Sequence, residues 1–410
     1  MILLADPIAH HALRQPEAPA IALPYADISY GAFNAAINAV ANHLATITGP
    51  GARVALAVDD PYIAWVLMFA LGRIGAISAS VELGKHDLYL PGLQPSLVLT
   101  DKGIEGPYAA MAVKTDLAWL NDLVADGNKA PVSLLRSLDS AARISMSSGT
   151  TGTPKLVQLT HEQVQRRIKS GIFSEPGRVY ERVLCMIGPG ALGGYVATQR
   201  TWWAGGVVCM FVAMPQLIAH RKVSGIIASP RQIVGVLDRL PPTYQRLPDL
   251  RLMIGGSRIP RVIREALLER LAGHATNTYG ATEIGAVANA PFHLIEQYGD
   301  ATAGLLLPWV QAEAVDENGV SLPAGAEGEI RLRSPEMIHG YMDDPEATAR
   351  HFRDGWFHPG DVGSVSAEGV LTIVGRVDDV ANIGGVKVAP EVIEGILRDV
   401  EGIDDVGVFM

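Results

Sequence analysis

The sequence predicts an α/β fold of two layered sections followed by a small β-rich, barrel-like one. Two observations carry this: strand–helix alternation over the first three-quarters of the chain, and a change to short strands with frequent turns after about residue 304. Ala32–Thr46 has apolar residues at helical spacing. Arg53–Val58 reads as a buried strand, and Pro61 suits the first turn of the next helix. Ile74–Val81 and Leu97–Thr100 read as further strands. In the second section Val183–Ile187, Gly206–Val212, Gly225–Ala228 and Leu250–Ile254 read as strands, with helices over Pro230–Leu240 and Pro260–Ala272 between them. Beyond residue 304, turn signals recur at Glu317-Asn318-Gly319, Pro323-Ala324-Gly325, Asp354-Gly355 and Ala367-Glu368-Gly369. Pro390–Arg398 reads as a helix and Val406–Met410 as an interrupted strand, so the numbered sequence is expected to stop inside a domain.

The composition of the 410 residues, 48% hydrophobic and 19% charged, belongs to an ordered protein. The net charge of −10 disfavours nucleic acid and anionic lipid as partners. A short basic cluster at Arg166, Arg167 and Lys169 reads as a solvated helix face. The two cysteines, Cys185 and Cys209, sit in apolar runs without metal-ligand spacing and read as buried thiols of a reducing, cytoplasmic compartment. No basic region leads into an apolar core at the N-terminus, so no signal peptide is expected. The greasy stretch Tyr62–Leu83 carries Arg73 and reads as a buried helix running into a strand, not a membrane span.

The chemistry begins at Ser147-Ser148-Gly149-Thr150-Thr151-Gly152-Thr153-Pro154-Lys155, after the strand-like Ala142–Met146. Glycines let backbone approach an anion closely, successive N–H groups form a concavity for it, and hydroxyls and Lys155 add donors and charge. A Walker A loop is excluded, because proline precedes the lysine and leucine follows it. Three further motifs follow: Asn277-Thr278-Tyr279-Gly280-Ala281-Thr282-Glu283, Gly360-Asp361-Val362-Gly363, and Gly375-Arg376-Val377-Asp378-Asp379 leading to Gly384-Gly385. Alone, Glu283 would pass for a solvated carboxylate and Asp361 for a turn residue. Gly255-Gly256-Ser257 follows a strand and is a softer signal.

In this order and at these distances the motifs resemble those of the adenylate-forming superfamily: acyl-CoA synthetases, adenylation domains of nonribosomal peptide synthetases and beetle luciferases. The resemblance covers nearly the whole chain. It implies a large N-terminal domain over residues 1–377, with α/β subdomains at about 1–159 and 160–303 and a β-rich subdomain at about 304–377. A hinge and the start of a small α+β C-terminal domain would occupy 378–410. It implies an ATP site built from Ser147, Ser148, Gly149, Thr150, Thr151, Gly152, Thr153, Lys155, Gly256, Ser257, Asn277, Thr278, Tyr279, Gly280, Thr282, Asp361 and Arg376. Thr150, Lys155 and Glu283 would be catalytic, with Glu283 holding Mg²⁺, a hard ion suited to carboxylate oxygen. Asn277 would meet the adenine edge, Thr282 the α-phosphate, and Asp361 and Arg376 the ribose. Asp378 would be the hinge, and Gly384 and Gly385 would approach the pantetheine of coenzyme A.

The implied activity is ATP-dependent conversion of a carboxylic acid to an acyl-adenylate, then transfer to coenzyme A. Two alternatives stay open: transfer to the phosphopantetheine of a separate acyl carrier protein, and a nucleotide-binding relative without turnover. The family's adenylating lysine has no counterpart among the 32 residues after Asp378, since Lys387 lies too early. The acyl pocket would include Ala191, Tyr195, Ala228, Gly256 and Tyr279. Ala191 stands where many acyl-CoA synthetases have a histidine or an aromatic residue. No acidic residue lies between Cys185 and Met214, which disfavours an amino-acid substrate because its buried ammonium would lack a partner. Apolar and small pocket positions suit an aryl or small-to-medium acyl carboxylate. The identity of the acid and the oligomeric state are not legible.

Overall fold

The computed structural model describes residues 2–82, 84–147, 155–174, 181–377, 381–383, 386–388 and 397. Two compact units emerge, the first comprising 1–213, 220–223 and 341–343, the second 214–219, 224–340 and 344–410. Among the described residues no helix is long and apolar enough to cross a membrane.

The first unit holds a six-stranded sheet in the order Ala112–Lys114, Leu97–Thr100, Arg53–Ala57, Ile77–Ser80, Ala141–Ser147 and Lys155–Thr160. The first five run parallel and the last antiparallel. The Tyr62–Leu83 stretch resolves as expected into a helix, Pro61–Ile74, and the strand Ile77–Ser80. Asp60 caps that helix by accepting from the Ile63 N–H, Pro61 fills its first turn, and Gly75 ends it at φ 73°. Residues Ile63 to Ile74 are all buried, so this helix lies in the unit's interior instead of covering one face.

A second sheet of this unit joins Asp27–Ser29, Pro19–Ala22, Val207–Cys209 and Arg182–Cys185. Its packing centres on aromatic rings. Trp202, fully buried, meets Phe33, Trp65 and Phe69 with centroids 5.0–5.6 Å apart and donates its indole N–H to the Ala20 carbonyl at 2.8 Å. The basic cluster differs from its reading as a solvated face. Arg166 is exposed and pairs with Glu162, but Arg167 is buried, and Lys169 lies over the Trp203 ring. The cause is amphipathicity: residue 167 falls on the apolar stripe of His161–Phe173 with Val164 and Ile168. Both cysteines are free; Cys209 is buried and Cys185 partly exposed.

In the second unit Gly225–Ala228, Leu247–Gly255 and Ala272–Ala281 run parallel. The sheet then turns antiparallel through Gly285–Pro291, Thr302–Leu306, Val370–Arg376, Asp361–Val365 and Gly328–Arg333. This is the β-rich texture expected after residue 304. Its core is Ile284, Val287, Ile330, Leu332, Phe357 and Leu371. The expected turns are present, with Gly319, Gly325, Gly355 and Gly369 all at positive φ. The expected helix Pro390–Arg398, save Leu397, and the strand Val406–Met410 lie outside the described residues.

Candidate nucleotide and acyl site

The phosphate-loop motif joins two antiparallel strands. Ser147 ends one, Lys155 begins the next, and the two residues pair in register. The motif therefore connects two paired antiparallel strands, whereas a Walker loop opens a helix. Ser148, Gly149, Thr150, Thr151, Gly152 and Thr153 lie outside the described residues. The Lys155 ammonium sits 4.8 Å from the Tyr341 ring centroid, and Met342 N–H donates to the Leu156 carbonyl at 2.8 Å. Segment 341–343 is thereby fastened to the strand that Lys155 starts.

In the second unit the remaining positions gather at one sheet edge. Ala228 closes the strand Gly225–Ala228 and pairs with Ile254. Ile254 pairs with Asn277 and Gly255 with Thr278. Ala228, Gly256, Ser257, Asn277, Thr278, Tyr279 and Gly280 thus lie along the carboxyl ends of three neighbouring parallel strands. This is the edge at which open α/β sheets take ligands. Gly256 has φ +107°, which an L side chain rarely adopts, and a Cβ there would meet nothing within 4 Å, so backbone faces open space.

Asn277 is buried, and its side-chain carbonyl oxygen has no hydrogen-bond partner among the described residues. Buried polar atoms are nearly always satisfied, so this acceptor fits a donor supplied by a ligand, such as the amino group of adenine. Thr278 donates its hydroxyl to Asn289 Oδ1 at 3.0 Å. Thr282 and Glu283 occupy the turn into Gly285–Pro291. Glu283 is buried, and its main-chain carbonyl accepts from Ile338 N–H at 2.8 Å.

Asp361 opens its strand opposite Arg376. One carboxylate oxygen accepts from Arg376 Nη1 at 2.8 Å, and the other accepts from the Tyr279 hydroxyl. Burial, and secondly the Asp361 charge, push the Tyr279 phenol well above its usual range, so it remains a donor. Three residues from three separate motifs are joined here. Sequence reasoning assigned Asp361 and Arg376 to one site but missed the Tyr279–Asp361 bond, because no local pattern reports a contact 82 residues apart.

Of the acyl-pocket positions in the first unit, Ala191 is the N-cap of the helix Leu192–Trp203. Tyr195 is buried, stacked on Trp65 with an interplanar angle of 6°, and lies under the Arg143 guanidinium at 4.9 Å. Arg143 was missed from sequence, although a lone arginine in an otherwise small and apolar strand is a visible signal. Asp378, Gly384 and Gly385 lie outside the described residues. Among those described, no cluster of three or more His, Cys, Asp or Glu could form a protein-only metal cage. Magnesium held by one carboxylate, substrate phosphates and water needs no such cage, so Glu283 fits that role.

The model of the AMP-binding enzyme family matches residues 96–342. The chain is 27% identical over 411 residues to the putative acyl–CoA ligase YdaB of Bacillus subtilis, covering 92% of this chain and 80% of the relative. It is 28% identical over 355 residues to 2-succinylbenzoate–CoA ligase of Bacillus licheniformis, covering 83% and 72%. The fold is shared with ATP-bound MatB from Rhodopseudomonas palustris, with a TM-score of 0.84 at 24% identity over all of this chain and 86% of the other. The glycine-containing strand edge, the Asp361–Arg376 pair and the family match lead to one conclusion: the chain belongs to the AMP-binding enzymes of the adenylate-forming superfamily.

Proposed function

We propose that this chain activates a non-amino-acid carboxylic acid with ATP and passes the acyl group to coenzyme A. The observation that carries the reading is the strand edge Ala228–Gly256–Tyr279, where Asn277 offers an unsatisfied acceptor and Tyr279 joins Asp361 and Arg376. Acid–CoA ligases among the relatives support it.

A carboxylate is a poor electrophile. Its oxygen attacks the α-phosphorus of ATP, the bond to the β-phosphate bridging oxygen breaks, and pyrophosphate leaves. The thiol of coenzyme A then attacks the acyl carbon, gives up its proton, and AMP leaves. Asn277 would accept from the adenine edge, and Asp361 with Arg376 would hold the ribose. Thr150, Lys155 and Thr282 would donate to phosphate oxygens that gain charge in the transition state. Magnesium, when bound at Glu283, would neutralise phosphate charge. In this reading residues 1–377 hold the nucleotide and residues from Asp378 onward belong to the hinge and a second domain.

The substrate class follows from what is missing around the first unit's pocket positions. No carboxylate lies between Cys185 and Met214 to pair an α-ammonium, so an aryl or small-to-medium acyl acid is favoured. The test is acid-dependent exchange of pyrophosphate into ATP by the full-length protein, over benzoate, phenylacetate, cinnamate, butyrate and octanoate. Thioester formation with coenzyme A is then measured. Exchange with at least one acid, and thioester formed from free coenzyme A, are expected. No exchange with any acid overturns the reading. Exchange with thioester formed only on an acyl carrier protein overturns the choice of acceptor.

A further inference from the structure

Arg143 is fully buried on the strand Ala141–Ser147. Its Nη1 donates to Ser78 Oγ at 3.2 Å, and its Nη2 donates to Ser80 Oγ and to the Pro189 carbonyl, each at 2.7 Å. Among the described residues no carboxylate pairs with it, and its Nε has no hydrogen-bond partner. Burial lowers the guanidinium pKa to about 10, so it remains a cation at neutral pH. A buried cation held only by hydroxyls, a carbonyl and an aromatic face is costly for stability alone. Such a group is retained where it fixes geometry that apolar packing would not.

What it fixes is the turn 187–191. Ser145, two residues along on the same strand face, places its hydroxyl 3.5 Å from the Gly190 carbonyl. Cys185 Sγ contacts the Ile187 carbonyl at 3.3 Å. The carbonyls of 189 and 190 are therefore each met by a side chain from the strand Ala141–Ser147, and that of 187 by the last residue of the strand leading into the turn. The turn ends at Ala191, the N-cap of the helix that carries Tyr195, whose ring lies under Arg143. The same strand runs on to Ser147, where the phosphate-loop motif begins.

We propose that Arg143 is a positioning residue for the acyl group: by holding the Pro189 carbonyl and the Tyr195 ring it sets the acyl wall relative to the strand that launches the phosphate loop. The inference rests on the acid-activating reading given above. It concerns the acyl end of the adenylate only.

The test separates the two ends. Sulfamoyladenosine and its benzoyl, cinnamoyl and octanoyl derivatives are titrated calorimetrically into the wild-type full-length protein, Arg143→Met, Arg143→Lys and Ser80→Ala. The ratio of affinities, acylated over bare, measures what the acyl group contributes. In Arg143→Met this ratio is expected to fall about tenfold, while bare sulfamoyladenosine binds within about twofold of wild type. Arg143→Lys keeps the charge but cannot span both serines and the carbonyl, and it is expected to restore only part of the ratio. Ser80→Ala removes one acceptor without removing the cation; it is expected to lower the ratio by less than Arg143→Met does, and so tests the proposal even if Arg143→Met fails to fold. A ratio unchanged in folded variants, or equal loss for bare and acylated ligands, overturns the proposal. Wild type that binds none of the four ligands overturns the acid-activating reading itself, a result distinct from either.

Discussion

The Tyr279 hydroxyl donates to the Asp361 carboxylate, tying the end of a parallel strand to the start of an antiparallel one. Arg376 donates to the other oxygen. The carboxylate is buried, so both bonds act in a medium of low dielectric, where charge-assisted hydrogen bonds are strong. Its orientation is consequently set by the protein itself.

A double-mutant cycle measures that coupling. Tyr279→Phe and Asp361→Asn, singly and together, are compared by urea unfolding. A coupling of about 1.5–3 kcal/mol is expected for a hydrogen bond to a charged acceptor. Additive effects would remove the Tyr279–Asp361 bond from the account. In the same variants AMP affinity should drop about tenfold or more in Asp361→Asn and less in Tyr279→Phe, since the latter leaves the carboxylate and its Arg376 partner in place.

Base selectivity should depend on Asn277. Its buried carbonyl oxygen has no partner among the described residues, so an incoming 6-amino group gains a hydrogen bond without displacing one. Inosine triphosphate carries a carbonyl at that position. Asn277→Ala is expected to reduce the preference for ATP over inosine triphosphate about tenfold, measured as the ratio of kcat/KM values. An unchanged ratio would place base recognition elsewhere.

Gly194, in the first turn of the helix Leu192–Trp203, packs closely against the 187–191 turn. A Cβ there would lie 2.3 Å from the Ile187 carbonyl oxygen and 2.6 Å from that of Gly188, both backbone atoms that cannot swing aside. Gly194→Ala is expected to destabilise the protein by about 1–3 kcal/mol despite alanine's better helix propensity. Gly193→Ala, whose Cβ meets nothing within 4 Å, is the control and should be neutral or slightly stabilising. Equal unfolding midpoints for the two variants would contradict the close approach.

Legibility from sequence followed how local each cause was. The strand Leu97–Thr100 and the helix after Pro61 were visible because continuous apolar runs and a proline at a first turn are local signals. The helix starting at Tyr30 was placed two residues late, because its cap, Ser29, interrupts no pattern. The strand Val207–Cys209 proved shorter than the apolar run 206–212, since apolarity reports burial and not pairing. At the site, motif residues were legible as types. Their partners were not: Tyr341 beside Lys155 and Ser78 beside Arg143 are set by chain crossings that no spacing encodes. Arg167 was misread for a different reason: a charge run is read without the phase of the helix that carries it.

His161 gives the fold a pH dependence. It is the first residue of His161–Phe173, fully buried, with neither ring nitrogen hydrogen-bonded among the described residues, and burial lowers its pKa from 6.5 to about 4. The positive end of the helix dipole opposes protonation as well. The folded pKa lies below the unfolded one, so the unfolded chain binds more protons in the interval between them. Stability from this group is therefore full above about pH 6.5 and is lost progressively as pH falls through the folded value near 4. The shift sets an upper figure of about 3 kcal/mol. His161→Leu, similar in volume and without a titrating ring, should unfold in urea with a weaker pH slope than wild type between pH 7 and 4.5. The stability difference between the two proteins should move toward the variant as pH falls. Parallel slopes would show that the ring nitrogens are hydrated or paired in solution and that acid sensitivity arises at other groups.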